Sequence, residues 1–190
     1  RGVESNGMIC SIAELGLDQR LLKPEDKDGI HVLDTDAPVG AEPLEYMGLK
    51  DTILEIGLTP NRADCMAMTS LAYEVAAILG REVNLPEVSF IGAEGSGISV
   101  KVETDLCPFF GAKLVKGVTT KESPEWLRNA LIASGIKPIN NIVDISNFVM
   151  LETGQPIHMY DYDKLNKKEF IIKTGFDCKE VMLDGEEYKI

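Results

Sequence analysis

The chain has 190 residues, 44% of them hydrophobic and 26% charged, and a formal net charge of −12. This length and composition fit a globular chain with one large core or two small ones and disfavour a disordered protein. No apolar stretch approaches the roughly 18 residues of a membrane helix, which predicts a cytoplasmic protein without a membrane partner. The net negative charge argues against a main nucleic-acid-binding surface in this chain, because phosphate binding needs clustered Lys and Arg.

Four cysteines, Cys10, Cys65, Cys107 and Cys178, lie far apart without a Cys-x-x-Cys pair. This spacing indicates neither a zinc site nor a redox disulfide, and buried free thiols are expected. The chain begins without Met and ends within a predicted strand, so we expect it to be part of a longer polypeptide.

The first half of the chain predicts a connector, one strand and one helix. Residues 1–20 contain a turn and a helical start, and the Pro-, Gly- and Asp-rich stretch after them holds a brief strand at 30–33. The short apolar run 53–58 predicts a further strand. Asp64 is then predicted to cap a helix that ends at Gly80. Its apolar residues recur three and four positions apart: Cys65, Met68, Leu71, Ala72, Val75, Ile78 and Leu79.

The second half predicts four strands after a domain boundary in the glycine-rich stretch 86–97. Alternating apolar residues predict strands at 98–102 and 110–114. Further strands are predicted at 169–173 and 181–189, the latter folded into a hairpin around an Asp-Gly turn.

Two helices are predicted between these strands. Ser123 is expected to cap the first, with a proline at its first position, Trp126 in the core and Gly135 at its end. The second is expected over 140–152, with Gly154 just past its end. Helices and strands together predict an α+β chain, with a small mixed domain followed by a second mixed domain.

A polar turn at 59–64 places Arg62 beside a predicted helix start. A guanidinium at such a place could attract a phosphate or a carboxylate. The alternative is a structural turn in which Arg62 pairs with an acid and Asp64 caps the helix, and the spacing favours this alternative.

Three polar residues interrupt the apolar pattern of the helix predicted at 140–152: Asp144, Ser146 and Asn147. Polar groups on a core-facing helix need hydrogen-bond partners. They fit either caps and loop contacts or the hydrogen-bonding floor of a pocket.

The richest polar loop follows at 154–163 and contains His158, Asp161 and Asp163. A histidine can orient or deprotonate water near neutral pH. The two carboxylates could fix its tautomer or bind a divalent cation, as in a metal-dependent hydrolase, although no second His or Cys lies at ligand spacing. A histidine packed and hydrogen-bonded for structure is the alternative.

Four stretches, in this order along the chain, resemble the beta subunit family of bacterial phenylalanyl-tRNA synthetase. They are ESNGMICS at 4–11, LTPNRADC at 58–65, GIKPINNIVDISN at 135–147 and LETGQPIH at 151–158. The resemblance implies the end of an OB-type tRNA-binding module at 1–20, a small linking domain with a strand and a helix at 21–90, and the N-terminal part of an editing domain at 91–190. The second mixed domain would then be a truncated α/β editing domain.

The resemblance also implies a function in an aminoacyl-tRNA synthetase. In this family the beta subunit hydrolyses tyrosine wrongly attached to the phenylalanine tRNA. Aminoacylation, with its ATP and magnesium, belongs to the alpha subunit, and no cofactor or metal is implied for this region. The implied partners are phenylalanine tRNA and the alpha subunit, in a heterotetramer of two alpha and two beta subunits that the region helps to assemble.

Carried onto this sequence, the family's motifs imply His158 as the catalytic residue, where it would position water or donate a hydrogen bond near the scissile ester. Ser146 and Asn147 would line the same pocket, and Lys137 would lie near the tRNA end. The acidic residue that recognises tyrosine, and a glycine-rich loop, would lie beyond Ile190. The chain alone is therefore not expected to edit.

The sequence departs from the family pattern around this site. Met159 and Tyr160 stand where the family usually has Ala-Phe, Ser146 where Thr is common, and Lys137 where Arg is frequent. Lys lacks the bidentate fork of Arg. These changes leave open the alternative of a purely architectural, tRNA-orienting region with a degenerate editing site.

Overall fold

The protein is described by a computed structural model, which covers residues 2–33, 36–89, 92, 97–182 and 184–190. The chain divides into two compact units. The first comprises Arg1–Pro86 and Thr120–Met159, and the second comprises Glu87–Thr119 and Tyr160–Ile190. Each unit therefore combines two separate segments of the chain.

The domain boundaries that the resemblance implies stay predictions. They divide the chain into the consecutive segments 1–20, 21–90 and 91–190, whereas the compact units interleave along the sequence. Residues 90 and 91, where the predicted boundary falls, lie outside the described residues.

The first unit is built from helices. They are α1 (Pro43–Tyr46), α2 (Met68–Leu79), α3 (Glu125–Ala133) and α4 (Asn141–Thr153), with 3-10 turns at Gln19–Leu21, Pro24–Asp26 and Ala63–Met66. α4 contacts both α2 and α3. In the part of the chain that the structure describes, none of the helices has the length and apolar character needed to span a membrane.

Local sequence sets the ends of α2 and α4. α2 ends at Gly80 with φ 61°, and α4 ends at Gly154 with φ 77°. Glycine adopts this left-handed conformation without a Cβ clash. At the start of α4, the Asn140 side chain accepts hydrogen bonds from the N–H groups of Ile142 and Val143. The predictions that α2 ends at Gly80 and that α4 lies between Asn140 and Gly154 are confirmed.

The most deeply buried side chains that the structure describes in the first unit belong to α3 and α4. Leu127 and Leu131 of α3 are 1% and 0% exposed, and Asp144 of α4 is 0% exposed. The two leucines are four residues apart, which places them on one helix face. A carboxylate in this core requires hydrogen-bond partners.

The second unit contains two small sheets. β1 (Ser99–Val102) pairs in parallel with β2 (Glu169–Ile172), and Val100 lies opposite Phe170. β3 (Lys179–Val181) and β4 (Glu187–Lys189) form an antiparallel hairpin. The Phe170 ring packs against the rings of Phe110 and Tyr160, at centroid distances of 6.1 and 5.1 Å.

The α+β class is confirmed, and so are the strands predicted at 98–102, at 169–173 and in the final hairpin. The strands predicted at 30–33, 53–58 and 110–114 are wrong, because these runs are irregular. A strand needs a neighbouring backbone with which to form a ladder, and these runs form none within the described ranges.

Two predicted helix caps are wrong. Asp64 lies in the 3-10 turn before α2, and Ala67 occupies the cap position without a side-chain bond. Pro124 occupies the cap position of α3. The hydroxyl of Ser123 instead donates to the carboxylate of Asp144.

Two burial predictions are also wrong in part. Trp126 is 61% exposed, because the buried face of α3 is the one that carries its leucines. Its ring packs edge-on against Phe148 with a centroid distance of 5.5 Å. Of the four cysteines, Cys65 is buried, while Cys178 is exposed and the other two are half-buried.

Candidate functional site

Ser146 and Asn147 lie half-buried on α4. The Ser146 hydroxyl donates to the carbonyl oxygen of Val143 at 2.7 Å, which leaves the lone pairs of the hydroxyl oxygen to accept from a ligand. The Asn147 amide forms no hydrogen bond within the described ranges, so that it can both donate and accept. These adjacent side chains have the hydrogen-bonding capacity expected of a pocket lining.

Asp144 serves the fold rather than a pocket floor. Its Oδ2 accepts from the Ser123 hydroxyl at 2.5 Å, and its Oδ1 accepts from the backbone N–H of Ile139 at 2.8 Å. Both carboxylate oxygens are therefore engaged inside the core. The polar residue within an apolar helix face was a usable sequence signal, but its partners Ser123 and Ile139 were missed.

The start of α4 is fully hydrogen-bonded. The N–H of Asn141 donates to the carbonyl oxygen of Lys121, and the N–H of Lys121 donates to Oδ1 of Asn141, both at 2.9 Å. The next three N–H groups of the helix donate to side-chain or backbone oxygens of Asn140. Because helix starts bind anions through free N–H groups, this one offers no such site.

Lys137 lies on the loop between α3 and α4. The loop begins at Gly135, whose φ is 75°, and the N–H of Ile136 donates to the carbonyl oxygen of Leu131 at 2.8 Å. The Lys137 side chain is exposed. Among the described residues it has no ion-pair partner, so its ammonium is available to an anionic group.

His158 is exposed on the segment that follows α4. Its imidazole makes no hydrogen bond to any residue that the structure describes. This exposure contradicts the interpretation of a histidine packed and bonded for structure. An exposed imidazole can instead reach water or a ligand.

Asp161 and Asp163 belong to the second unit, whereas His158 belongs to the first. Oδ1 of Asp161 accepts from the N–H of Asp163 at 3.1 Å and so caps the short 3-10 turn Tyr162–Lys164. Over the described ranges, no three His, Cys, Asp or Glu side chains are grouped closely enough to hold a metal ion. The Asp161 side chain thus has a structural role in this turn.

Arg62 forms the ion pairs that the structural interpretation of its turn predicts. Its Nη2 donates to Oδ2 of Asp64 at 2.9 Å and to Oε1 of Glu74 at 2.6 Å. The hydrogen bonds from the guanidinium hold the pKa of Asp64 down at about 2 and also lower the pKa of Glu74. A guanidinium engaged by two carboxylates is not free for a phosphate.

Two cavities, of about 750 and 580 Å³, lie among the described residues of the first unit. The larger is lined by apolar residues such as Leu17, Leu44 and Trp126, and the smaller includes His31 and Arg128. None of the four candidate residues lines either cavity. The four candidate residues therefore lie outside both cavities, on α4 and on the segments before and after it.

Comparison with known proteins decides the family. A family model described as B3/4 domain matches residues 106–190, which include all four candidate residues. The chain is 50% identical to the phenylalanine-tRNA ligase beta subunit of Geobacillus kaustophilus over 197 residues, an alignment covering 100% of this chain and 24% of that protein. The chain belongs to the phenylalanine-tRNA ligase beta subunit family.

Other relatives agree. The beta subunits of Bacillus subtilis and Moorella thermoacetica are each 47% identical to the chain, over 195 and 196 residues, again covering 100% of this chain and 24% of each relative. The chain thus spans about a quarter of the length of the curated relatives it matches. The recognition made from four short motifs is confirmed.

Proposed function

We propose that this region of a phenylalanine-tRNA ligase beta subunit contributes to the hydrolytic editing of tyrosyl-tRNA(Phe). The observation that supports this proposal is the arrangement around α4. Ser146 and Asn147 lie on the helix, Lys137 lies on the loop before it and His158 on the segment after it. All four belong to the same compact unit, and three of them have hydrogen-bonding or charged groups without partners among the described residues.

Editing is needed because a binding pocket alone discriminates poorly between phenylalanine and tyrosine. Tyrosine differs from phenylalanine by one hydroxyl, and a hydrophobic pocket rejects an added hydroxyl by only about a hundredfold. A second site that hydrogen-bonds the hydroxyl and hydrolyses the ester removes the error. Hydrolysis of an ester needs a positioned water molecule, a proton acceptor and donors for the developing oxyanion.

The four residues match these needs. The exposed imidazole of His158 would position water or donate a hydrogen bond beside the ester. The free lone pairs of Ser146 and the amide of Asn147 would hold the substrate. The Lys137 ammonium would bind the negatively charged tRNA end.

The whole enzyme would supply the remaining parts. The partners are phenylalanine tRNA and the alpha subunit, in a heterotetramer of two alpha and two beta subunits in the cytoplasm. The alpha subunit would perform aminoacylation with ATP and magnesium. The acid that recognises tyrosine would come from another part of the beta subunit.

The rate at which the complete enzyme deacylates mischarged tRNA tests the proposal. In the enzyme assembled from the complete subunits, His158→Ala is expected to slow deacylation of tyrosyl-tRNA(Phe) by about a hundredfold, the typical contribution of an acid–base group. Phenylalanylation should keep its rate. His31→Ala, which removes the only other histidine of the chain, is the matched control and should deacylate normally.

The opposite result supports the architectural alternative. Met159 and Tyr160, which flank the site with residues unusual for the family, motivate that alternative. If His158→Ala deacylates as fast as the unmodified enzyme, His158 is not the editing residue. If the unmodified enzyme does not deacylate tyrosyl-tRNA(Phe) at all, the region orients tRNA without editing.

A further inference from the structure

Asp144 is a buried acid that forms no ion pair with any residue that the structure describes. The side chain is 0% exposed, and its two partners in the structure are the neutral donors Ser123 and Ile139. Burying a carboxylate without a counter-ion is costly unless hydrogen bonds satisfy it. Leu or Met would fill this core position without that cost. The role of this carboxylate therefore lies in the groups that its two hydrogen bonds hold in place.

One of these bonds fixes the end of the Lys137 loop. The N–H of Ile139 donates to Asp144, and the N–H of Ile136 donates to Leu131 at the other end. Only Lys137 and Pro138 lie between the two bonded amides. The ring of Pro138 restricts its own φ and also the backbone of the residue before it. The backbone of Lys137 is thus held from both sides.

The second bond fixes Asp144 itself. Ser123 is 5% exposed and donates to the oxygen that does not bind Ile139. This hydroxyl sets the rotation of the carboxylate, so that Oδ1 points at the loop. Buried bonds to a charged acceptor are among the stronger hydrogen bonds of proteins.

We infer that Asp144, oriented by Ser123, is a positioning residue that fixes the loop from Gly135 to Ile139 so that the Lys137 ammonium meets a phosphate group of the substrate. This inference rests on the proposed editing function. Lys137 is exposed and has no ion-pair partner in the described ranges, within a chain of net charge −12. A fixed cation on an acidic protein binds a phosphate at a defined place, whereas a cation on a mobile loop loses entropy on binding.

The test measures tyrosyl-tRNA deacylation by the complete enzyme at several salt concentrations. Lys137→Ala is expected to raise KM about tenfold with little change in kcat, as the loss of one charge-assisted contact does. It should also reduce the slope of log KM against log salt by about 0.7, the value for one contact to a single strand. Asp144→Ala is expected to reproduce both changes.

The double variant decides between positioning and mere stabilisation. If Asp144 acts through Lys137, adding Asp144→Ala to Lys137→Ala raises KM no further, because the coupled residues share one effect. Asp144→Asn should restore KM to within about twofold, since its amide can accept from Ile139 and donate to Ser123. A fall in kcat with an unchanged KM and salt slope, or an additive double variant, overturns the inference.

A second variant tests the same hydrogen bond without changing Asp144, in case Asp144→Ala misfolds. Ile139→Pro removes the amide donor, at a residue that is 67% exposed, and its ring also restricts the backbone of Pro138. It should give the same KM and salt slope as Lys137→Ala. Ile139→Ala keeps the amide and is the matched control. Unchanged KM in Ile139→Pro, with His158→Ala still impaired, overturns the positioning role alone. Normal deacylation by His158→Ala, or an unmodified enzyme that does not deacylate, overturns the proposed function as well.

Discussion

Nη2 of Arg62 donates a hydrogen bond to Oε1 of Glu74 at 2.6 Å, and this bond joins the 3-10 turn before α2 to the middle of that helix. The same nitrogen also binds Asp64. One side chain thus fixes the direction in which the chain enters α2. The motif LTPNRADC, which carried part of the family resemblance, has here a structural rather than a ligand-binding role.

The ion pairs of Arg62 predict a pH dependence of stability. Its guanidinium lowers the pKa of Asp64 from 3.8 to about 2 in the folded chain and also lowers that of Glu74 from 4.5. A carboxyl whose folded pKa is depressed stabilises the fold above its unfolded pKa, and this contribution is lost as the pH falls through the folded value. The thermal unfolding temperature should therefore fall between about pH 4.5 and pH 2, and Arg62→Gln should make this fall shallower.

Arg81→Gln is the matched control for this prediction. It removes the same charge just past the end of α2, where no carboxylate pairs with the arginine among the described residues. Between about pH 4.5 and pH 2, the unfolding temperature of Arg81→Gln should fall as steeply as that of the unmodified chain. If the unfolding temperature of Arg62→Gln falls just as steeply, the ion pairs of Arg62 with Asp64 and Glu74 do not persist in solution.

The sequence predicted the features that depend on residues close to one another along the chain. Gly80 and Gly154 end helices through their own backbone conformation, and the Asn140 side chain caps α4 by accepting hydrogen bonds from the N–H groups two and three residues later. The run 53–58 has the apolar pattern of a strand, but strand formation depends on a partner far away in sequence. That information is absent from the run itself.

The candidate site shows the same limit. The motifs nominated His158 and the polar residues of α4 as candidates, because residue type and order are properties of the sequence. They did not reveal that Asp144 binds Ser123, which lies 21 residues earlier. Nor did they separate Asp144 from Ser146, because burial depends on which helix face packs against α3.

Ser123 gives a stability prediction. Ser123→Ala leaves Oδ2 of Asp144 without its donor inside the core and should cost about 1 to 3 kcal/mol of unfolding free energy. Ser134→Ala is the control, because that exposed hydroxyl bonds to the carbonyl of Ala130 and to no other described residue, and its loss should stay within about 0.5 kcal/mol. Chemical denaturation of the two variants measures the difference. Equal losses would contradict the buried bond.

Gly154 tests the contact between α4 and the start of α2. A Cβ at Gly154 would lie 3.1 Å from the Cβ of Ala67, and the φ of 77° adds backbone strain. Gly154→Ala should cost about 2 to 4 kcal/mol, the sum of the strain and of overpacking.

Gly135→Ala separates the two causes. Its φ of 75° is similar, but nothing lies within 4 Å of an added Cβ, so only the strain of about 1 kcal/mol should remain. Adding Ala67→Gly to Gly154→Ala should recover the overpacking part, because the cap position of α2 tolerates Gly. Equal unfolding free energies for Gly154→Ala and Gly135→Ala would show that α4 does not pack closely on Ala67.

The family resemblance implies an arginine at the position of Lys137, and the substitution Lys137→Arg tests what that residue would add. Arg presents a planar fork that binds a phosphate through two parallel hydrogen bonds, whereas Lys binds it as a point charge. Lys137→Arg should therefore lower the KM for tyrosyl-tRNA deacylation by a few-fold. The salt slope of KM should not change, because the number of neutralised phosphates is the same.

The control lysine for this experiment is Lys116, an exposed residue of the other compact unit. Lys116→Arg should leave KM unchanged, which excludes a general effect of arginine on tRNA affinity. A lower KM in Lys137→Arg that is abolished by Asp144→Ala would tie the phosphate contact to the loop that Asp144 holds. If Lys137→Arg and Lys116→Arg change KM equally, the contact at Lys137 is non-specific, and the ammonium has no defined place in the editing site.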